Sequence, residues 1–149
     1  MLKISKKVEY GLMAILHMDS MGRRDVVSAR EISALYNIPP DLLGKVMQAL
    51  AKTGLIESVH GAQGGYRLSR PLDRFTLGDV FEAVEGPLHL VKCYEEPACC
   101  EQYEMCNIRD PVMRIQDRVI DYISRVNLAE FRRPVKSGSD AVMMHGRVQ

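Results

Sequence analysis

Residues Val27–Pro71 read VSAREISALYNIPPDLLGKVMQALAKTGLIESVHGAQGGYRLSRP, and this stretch decides the fold. Ser28, with Glu31 three residues later, is typical of the capping box that begins a helix. Asn37 tolerates the left-handed backbone conformation that a sharp turn between helices requires. The pair Pro39–Pro40 suits the opening turn of a second helix, where a missing N–H costs nothing. The pattern predicts two helices joined by a tight turn.

A short hairpin follows the second predicted helix. Gly54 stands where a glycine typically ends a helix, and Ile56–Val59 and Tyr66–Leu68 are the two strand candidates. The glycine-rich segment between them favours a tight hairpin. The residues predicted to face the core are Ile32 and Leu35 in the first helix, and Leu42, Leu43, Val46, Met47 and Leu50 in the second. These elements together predict a winged helix-turn-helix, whose second helix typically enters the major groove of DNA.

Two amphipathic helices are predicted on either side of this unit. The first, Ser5–Ser20, begins at the N-cap Ser5 and has an apolar face formed by Val8, Leu12, Ile15 and Leu16. The other begins at Thr76, where Asp79 completes a capping box, and stops at Gly86. We therefore predict a fold that is mainly α with a small β-hairpin wing.

A long helix is predicted to begin at Asp110, an N-cap followed by Pro111 at the first helical position. Apolar residues then recur at steps of three and four, which is typical of a coiled-coil seam: Val112, Ile115, Val119, Tyr122 and Val126. A helix with such a stripe needs a partner, which predicts a homodimer. A dimer suits a DNA-binding protein because half-sites about 34–36 Å apart match a two-fold symmetric protein.

The predicted organisation has four parts: residues 1–86 form the winged helix-turn-helix DNA-binding domain, 87–110 a cysteine-containing loop, 111–133 the dimerisation helix and 134–149 a disordered tail. Residues 1–75 carry 11 Lys/Arg against 7 Asp/Glu, whereas residues 76–149 carry 9 Lys/Arg against 12 Asp/Glu. The positively charged half therefore contains the predicted winged helix-turn-helix, as attraction to DNA phosphates requires. Glu9 and His17 interrupt the apolar start, and no run approaches the roughly 20 residues of a membrane span. We expect a cytoplasmic protein with no membrane partner.

All four cysteines lie within fourteen residues, at Cys93, Cys99, Cys100 and Cys106. The gap after Cys93 and the gap before Cys106 are each five residues, wider than the spacing of about two to four that is typical of zinc sites. This spacing suits a loop that binds a cofactor larger than a single metal ion, and an iron–sulfur cluster bound by thiolates is such a cofactor. A cluster-free thiol or metal switch is the alternative. The four glutamates of the loop favour ligation, because reactive thiolates are typical of positive surroundings.

The chain resembles the winged-helix transcription regulators of the family (Rrf-type) that contains the iron–sulfur regulator IscR, the nitric-oxide sensor NsrR and the iron regulator RirA. The resemblance covers about Met1–Phe131 and is carried by ISKKVEYGLMAIL, LAKTGLIESVHGAQGGYRLSRP, TLGDVFEAVEG and the cysteines before a long helix. It implies a homodimeric bacterial regulator of double-stranded operator DNA. In such a regulator the state of an iron–sulfur cluster, of the 2Fe–2S or 4Fe–4S type, changes DNA binding.

The resemblance also implies a set of cluster ligands. Cys93 and Cys106 match the outer two of the family's three cysteine ligands. Either Cys99 or Cys100 matches the middle one, and the run CNIR that begins at the last cysteine favours Cys100. Some members use a carboxylate from the first helix of the partner subunit, a position that Glu9 matches in this sequence. Cys99 is the alternative fourth ligand, and residues 87–110 would then form the cluster-binding loop.

The sequence departs from the IscR type at three positions. Arg109 stands in place of a histidine ligand and excludes that mode of ligation, Gly44 replaces a glutamate of the recognition helix, and His60 replaces a wing arginine that reaches the minor groove. The remaining candidates for reading bases are Asp41, Lys45 and Gln48. Phosphate contacts are expected from Lys6, Lys7, Ser28, Arg30 and Arg67.

Two other classes of function are weighed against DNA binding. The sequence shows no paired nucleophile and base and no phosphate-binding loop, and the wing glycines do not follow the strand-to-helix context of a nucleotide site. We therefore expect no enzymatic activity. An adaptor that uses its winged helix only for protein contacts is the other alternative, because fold alone does not determine function.

Overall fold

The computed structural model describes residues 3–22 and 25–132. Within these ranges five α-helices and one antiparallel hairpin confirm the prediction of a mainly α chain with a small β wing. The elements are α1 (Lys6–Met21), α2 (Ala29–Tyr36), α3 (Pro40–Lys52), β1 (Ile56–Val59), β2 (Gly65–Leu68), α4 (Leu77–Glu85) and α5 (Arg109–Arg125). The predicted tail at 134–149 lies outside the described residues, and the four-part division of the chain stays a prediction.

The helix-turn-helix is held by local hydrogen bonds, which include the predicted capping box of α2. The Ser28 hydroxyl accepts the Glu31 N–H at 3.1 Å, and a Glu31 carboxylate oxygen accepts the Ser28 N–H at 2.8 Å. Asn37 adopts the left-handed conformation, with φ +52°. The buried Ser33 hydroxyl donates to the Ile38 carbonyl at 2.6 Å, which closes the turn between α2 and α3. Both capping boxes are present, since Thr76 and Asp79 pair in the same way at α4.

α1 lies at the centre of the core, where it packs against α3 and α4. The buried face of α3 is the predicted one except that Leu42 is only half-buried. The prediction that Leu35 faces inward is wrong, because its side chain is 63% exposed. Ile38 is buried instead. The left-handed turn folds Ile38 back onto Ser33, where its N–H donates to the Ser33 carbonyl, so the core position passes to the residue after the turn.

The wing pairs β1 with β2 in antiparallel register, from Ile56 opposite Leu68 to Val59 opposite Gly65. A third segment adds to it, since Val27 and Tyr66 exchange backbone hydrogen bonds of 2.9 and 2.8 Å. A Cβ atom at position 65 would lie 2.5 Å from the Val27 carbonyl oxygen, so this close approach requires glycine. The wing is thereby tied to the segment that leads into α2.

α5 begins one residue before the predicted N-cap. Ile108 is the N-cap residue, without a side-chain hydrogen bond, and its carbonyl already accepts the Val112 N–H at 3.0 Å. The prediction that Asp110 caps the helix is therefore wrong, because Asp110 lies inside the first turn. There its carboxylate faces the Arg109 guanidinium at 3.4 Å. At the other end a 3₁₀ turn, Leu128–Phe131, follows the helix. No helix of the described ranges is long and apolar enough to cross a membrane.

α4 and α5 approach closely at Gly78, where an added Cβ would lie 2.8 Å from the Ser124 Cα. We expect Gly78→Ala to lower the free energy of unfolding by about 1–3 kcal/mol, because backbone must move to admit the methyl group. The matched control is Gly44→Ala in α3, where the added Cβ meets no atom within 4 Å. That change is expected to raise stability by about 0.5–1 kcal/mol. Urea denaturation followed by circular dichroism measures both, and equal effects would contradict the close packing.

Candidate DNA interface and cysteine loop

One face of α3 carries the residues predicted to read bases. Asp41, Lys45 and Gln48 are exposed, whereas the opposite face of the helix is buried in the core. Lys52 is also exposed and follows Lys45 by seven residues, which places it on the same face two turns later. Lys52 was not among the DNA-contacting residues predicted from the sequence. Its spacing from Lys45 is the signal that identifies it.

The predicted phosphate contacts differ in their surroundings. Arg30 and Lys7 are exposed, and so is His60 at the wing. Lys6 is held by Glu9 at 2.6 Å, and Arg67 is held by Glu57 at 3.0 Å. Exposed ion pairs of this kind contribute little to stability, so exchanging a carboxylate for a DNA phosphate costs little.

Two groups of this surface have shifted pKa values. The hydrogen bond to Glu9 raises the pKa of Lys6. The backbone N–H of Ser28 lowers the pKa of Glu31. The Ser28 hydroxyl is engaged in the same capping box, where it also donates to Glu31 at 2.8 Å. Ser28 therefore positions the start of α2 in addition to its predicted role at phosphate.

The four cysteines lie in what we call the cysteine loop, residues 87–108, which joins α4 to α5. Its regular structure consists of three single 3₁₀ turns, Lys92–Tyr94, Pro97–Cys99 and Tyr103–Met105. All four cysteines are free thiols. Cys99 is exposed, and the other three are half-buried. The loop thus presents one accessible thiol and three partly shielded ones.

The predicted cluster ligands are not grouped as a metal site in the part of the single chain that the structure describes. Within residues 3–22 and 25–132, no three or more His, Cys, Asp or Glu side chains are grouped so that they could hold a metal ion. Glu9, the predicted ligand from the partner subunit, lies on α1 and pairs with Lys6 of its own chain. The ligand set Cys93, Cys99 or Cys100, Cys106 and Glu9 stays a prediction.

Comparisons with known proteins agree with this architecture. Residues 4–134 match the model of the Rrf2 family, described as an iron-dependent transcriptional regulator. The HTH-type transcriptional regulator CymR of Bacillus subtilis (strain 168) is 30% identical over 116 residues, which cover 78% of this chain and 84% of CymR. The solved structure of CymR, described as the global cysteine regulator of B. subtilis, matches 88% of this chain and 96% of its own with a TM-score of 0.64.

Two further structures are similar. The oxidized form of Staphylococcus aureus CymR is 26% identical and matches 91% of this chain and 100% of its own with a TM-score of 0.67. T. potens IscR is 25% identical and matches 97% of this chain and 94% of its own, also with a TM-score of 0.67. The family model, matched over residues 4–134, spans the winged helix-turn-helix, the cysteine loop and α5. The chain therefore belongs to the Rrf2 family and is a DNA-binding transcriptional regulator of that family.

Proposed function

We propose that this protein is a homodimeric, cytoplasmic regulator without enzymatic activity, whose affinity for operator DNA is controlled by oxidation of thiols in the cysteine loop. The observation that carries the proposal is the placement of four free thiols, one of them exposed, in the segment that joins the DNA-binding domain to α5. A covalent change there acts on both neighbouring elements. The face of α3 that carries Lys45, Gln48 and Lys52 supplies the contacts to DNA.

Dimerisation is supported by the apolar stripe of α5. Ile115 is 54% exposed and Tyr122 is 71% exposed, although both lie on the predicted seam. Two other apolar residues of α5, Ile120 and Ile123, line a cavity against α4 instead. Large apolar side chains of this kind are typical of a surface that a partner covers. A second copy of α5 is the occupant that matches the heptad spacing.

The proposed switch is the formation of a disulfide within the loop. Two cysteine thiols lose two protons and two electrons and form one S–S bond, while a low-molecular-weight disulfide accepts them and is reduced to two thiols. Cys99 is the first thiol expected to react, because it is exposed. The likeness to CymR supports this chemistry, since one similar protein is described as a cysteine regulator and a structure exists of an oxidized form of another.

An iron–sulfur cluster in the same loop is the second candidate. It is favoured by the four clustered cysteines, by the family's description as iron-dependent and by the likeness to T. potens IscR. It requires the half-buried thiols to move together, because the described arrangement does not group them around a metal. Iron and acid-labile sulfide analysis of protein purified without oxygen distinguishes the two candidates.

We expect Cys99→Ser to abolish the response to oxidation. The DNA probe is first selected from random duplexes with the reduced protein, and its affinity is then measured with dithiothreitol or with glutathione disulfide. The iron-free wild-type protein is expected to differ by about tenfold between the two conditions, a typical size of coupling between sites. The Cys99→Ser variant is expected to show one affinity in both. Mass spectrometry identifies the disulfide.

The matched control is Glu104→Ser, an exposed residue of the same loop without a thiol. It is expected to respond like the wild type. Two results together would favour the iron–sulfur cluster over the thiol switch. The DNA affinity of the iron-free wild type would not respond to glutathione disulfide, and the matched iron and sulfide of the wild type would be lost in Cys93→Ser or Cys106→Ser. DNA binding by the reduced protein is expected in either case.

A further inference from the structure

Gln116, near the middle of α5, is fully buried and holds the start of the cysteine loop. Its side-chain oxygen accepts the backbone N–H of Leu90 at 2.9 Å and that of Val91 at 3.4 Å. Because both partners are donors, the amide must present its oxygen to them, which sets its orientation. The Gln116 side chain thus serves as the hydrogen-bond acceptor of the Leu90 and Val91 N–H groups in place of a backbone carbonyl.

The loop is held a second time on the same helix. Arg109, the first residue of α5, donates to the Tyr103 carbonyl at 2.9 Å, and its guanidinium lies 4.7 Å from the centre of the Tyr103 ring. Three of the cysteines lie between the two attachment points, and Cys106 lies between Tyr103 and the helix. A change in the distance between the thiols is therefore transmitted to α5 through these two contacts.

The opposite end of α5 is joined to the DNA-binding domain. The Val126 carbonyl accepts the Leu77 N–H at 2.8 Å, and the Leu128 N–H donates to the Phe75 carbonyl at 2.9 Å. Leu128 is fully buried in the domain core. A rigid helix therefore connects the loop at one end with the segment that begins α4 at the other.

The amide nitrogen of Gln116 is buried and has no hydrogen-bond partner among the described residues. The two hydrogen bonds from the loop are therefore the only ones that the Gln116 side chain makes among the described residues. On the basis of the proposed thiol switch, we propose that Gln116 is the positioning residue that transmits the state of the cysteine loop to α5.

The test compares Gln116→Met with Gln116→Glu in the full-length protein. Methionine keeps the volume but offers the two N–H groups only a weak thioether acceptor, whereas glutamate keeps an acceptor oxygen. Gln116→Met is expected to bind the selected duplex like the reduced wild type and to lose the roughly tenfold effect of glutathione disulfide. Gln116→Glu is expected to retain the effect. Ile120→Met, a change of shape on the same helix without a lost hydrogen bond, is the control and is expected to respond normally.

Two measurements distinguish a loss of coupling between the cysteine loop and α5 from misfolding of the variant or failure of the disulfide to form. Mass spectrometry must show that the loop disulfide still forms in Gln116→Met, and hydrogen exchange must show faster exchange of the Leu90 and Val91 amides in that variant. A full response to oxidation in Gln116→Met would overturn the inference. A lack of response in the wild type would instead overturn the proposed thiol switch, and the inference would fall with it.

Discussion

Replacing Lys45 with glutamate is expected to weaken operator binding by about 100-fold. Lys45 is exposed at the centre of the outward face of α3, between Asp41 and Gln48. Loss of one contact to a base or phosphate typically costs about 1–3 kcal/mol, and the new negative charge adds repulsion from the DNA backbone. Fluorescence anisotropy with the selected duplex measures the effect. The slope of affinity against salt concentration is expected to fall as well, because fewer counterions are released.

The matched control for this charge reversal is Arg114→Glu on α5. Arg114 is exposed and lies on the side of α5 away from the apolar stripe, so the same change of charge is made on a helix other than the one with the predicted DNA face. We expect that variant to bind within about twofold of the wild type at moderate salt, where distant charges are screened. Equal losses in both variants would show that binding depends on total charge and that α3 does not read the DNA.

Truncating Phe75 to alanine is expected to lower the free energy of unfolding by about 3–5 kcal/mol. Phe75 lies between β2 and α4 in the chain and is fully buried, and its backbone carbonyl accepts the Leu128 N–H. Removal of the ring leaves a cavity at the point where the chain after α5 returns to the domain. Since whole domains are stable by only about 5–15 kcal/mol, this change removes a large part of the total.

Phe131→Ala provides the comparison for Phe75. Phe131 is 39% exposed in the turn after α5, so the same truncation there removes less buried surface. We expect it to cost about 1 kcal/mol or less. Urea denaturation of both variants measures the difference between their free energies of unfolding, and we expect the slope of that free energy against urea concentration to be unchanged. Similar losses at the two positions would contradict the placement of Phe75 in the core.

Local signals in the sequence predicted the helix-turn-helix well. The capping boxes at Ser28 and Thr76 and the turn at Asn37 depend on residues within five positions of one another, so a short stretch contains all of their partners. Two predictions, which rested on local signals alone, are wrong. Leu35 has the spacing of a core residue, but the left-handed turn gives the core position to Ile38. Asp110 has the chemistry of an N-cap, but α5 begins before it.

The site was predicted in part. The base-reading candidates on α3 lie on one exposed face, as helical spacing requires, and that spacing also identifies Lys52 once the buried face is known. The cysteine loop was predicted from the clustering of its cysteines. The grouping of its thiols was not, because a loop with only three 3₁₀ turns has no periodicity from which side-chain directions follow.

The sequence by itself determined the winged helix-turn-helix, the apolar stripe of α5 and the presence of a cysteine-rich segment between them. Caps, turns and periodic apolar faces are short-range features, and their physical causes lie within a few residues of chain. Only the tertiary structure decided that Gln116 holds Leu90 and that Leu128 pairs with Phe75. Such contacts join residues more than twenty positions apart. A buried amide or backbone group selects its partner from whatever the folded core brings within hydrogen-bonding distance.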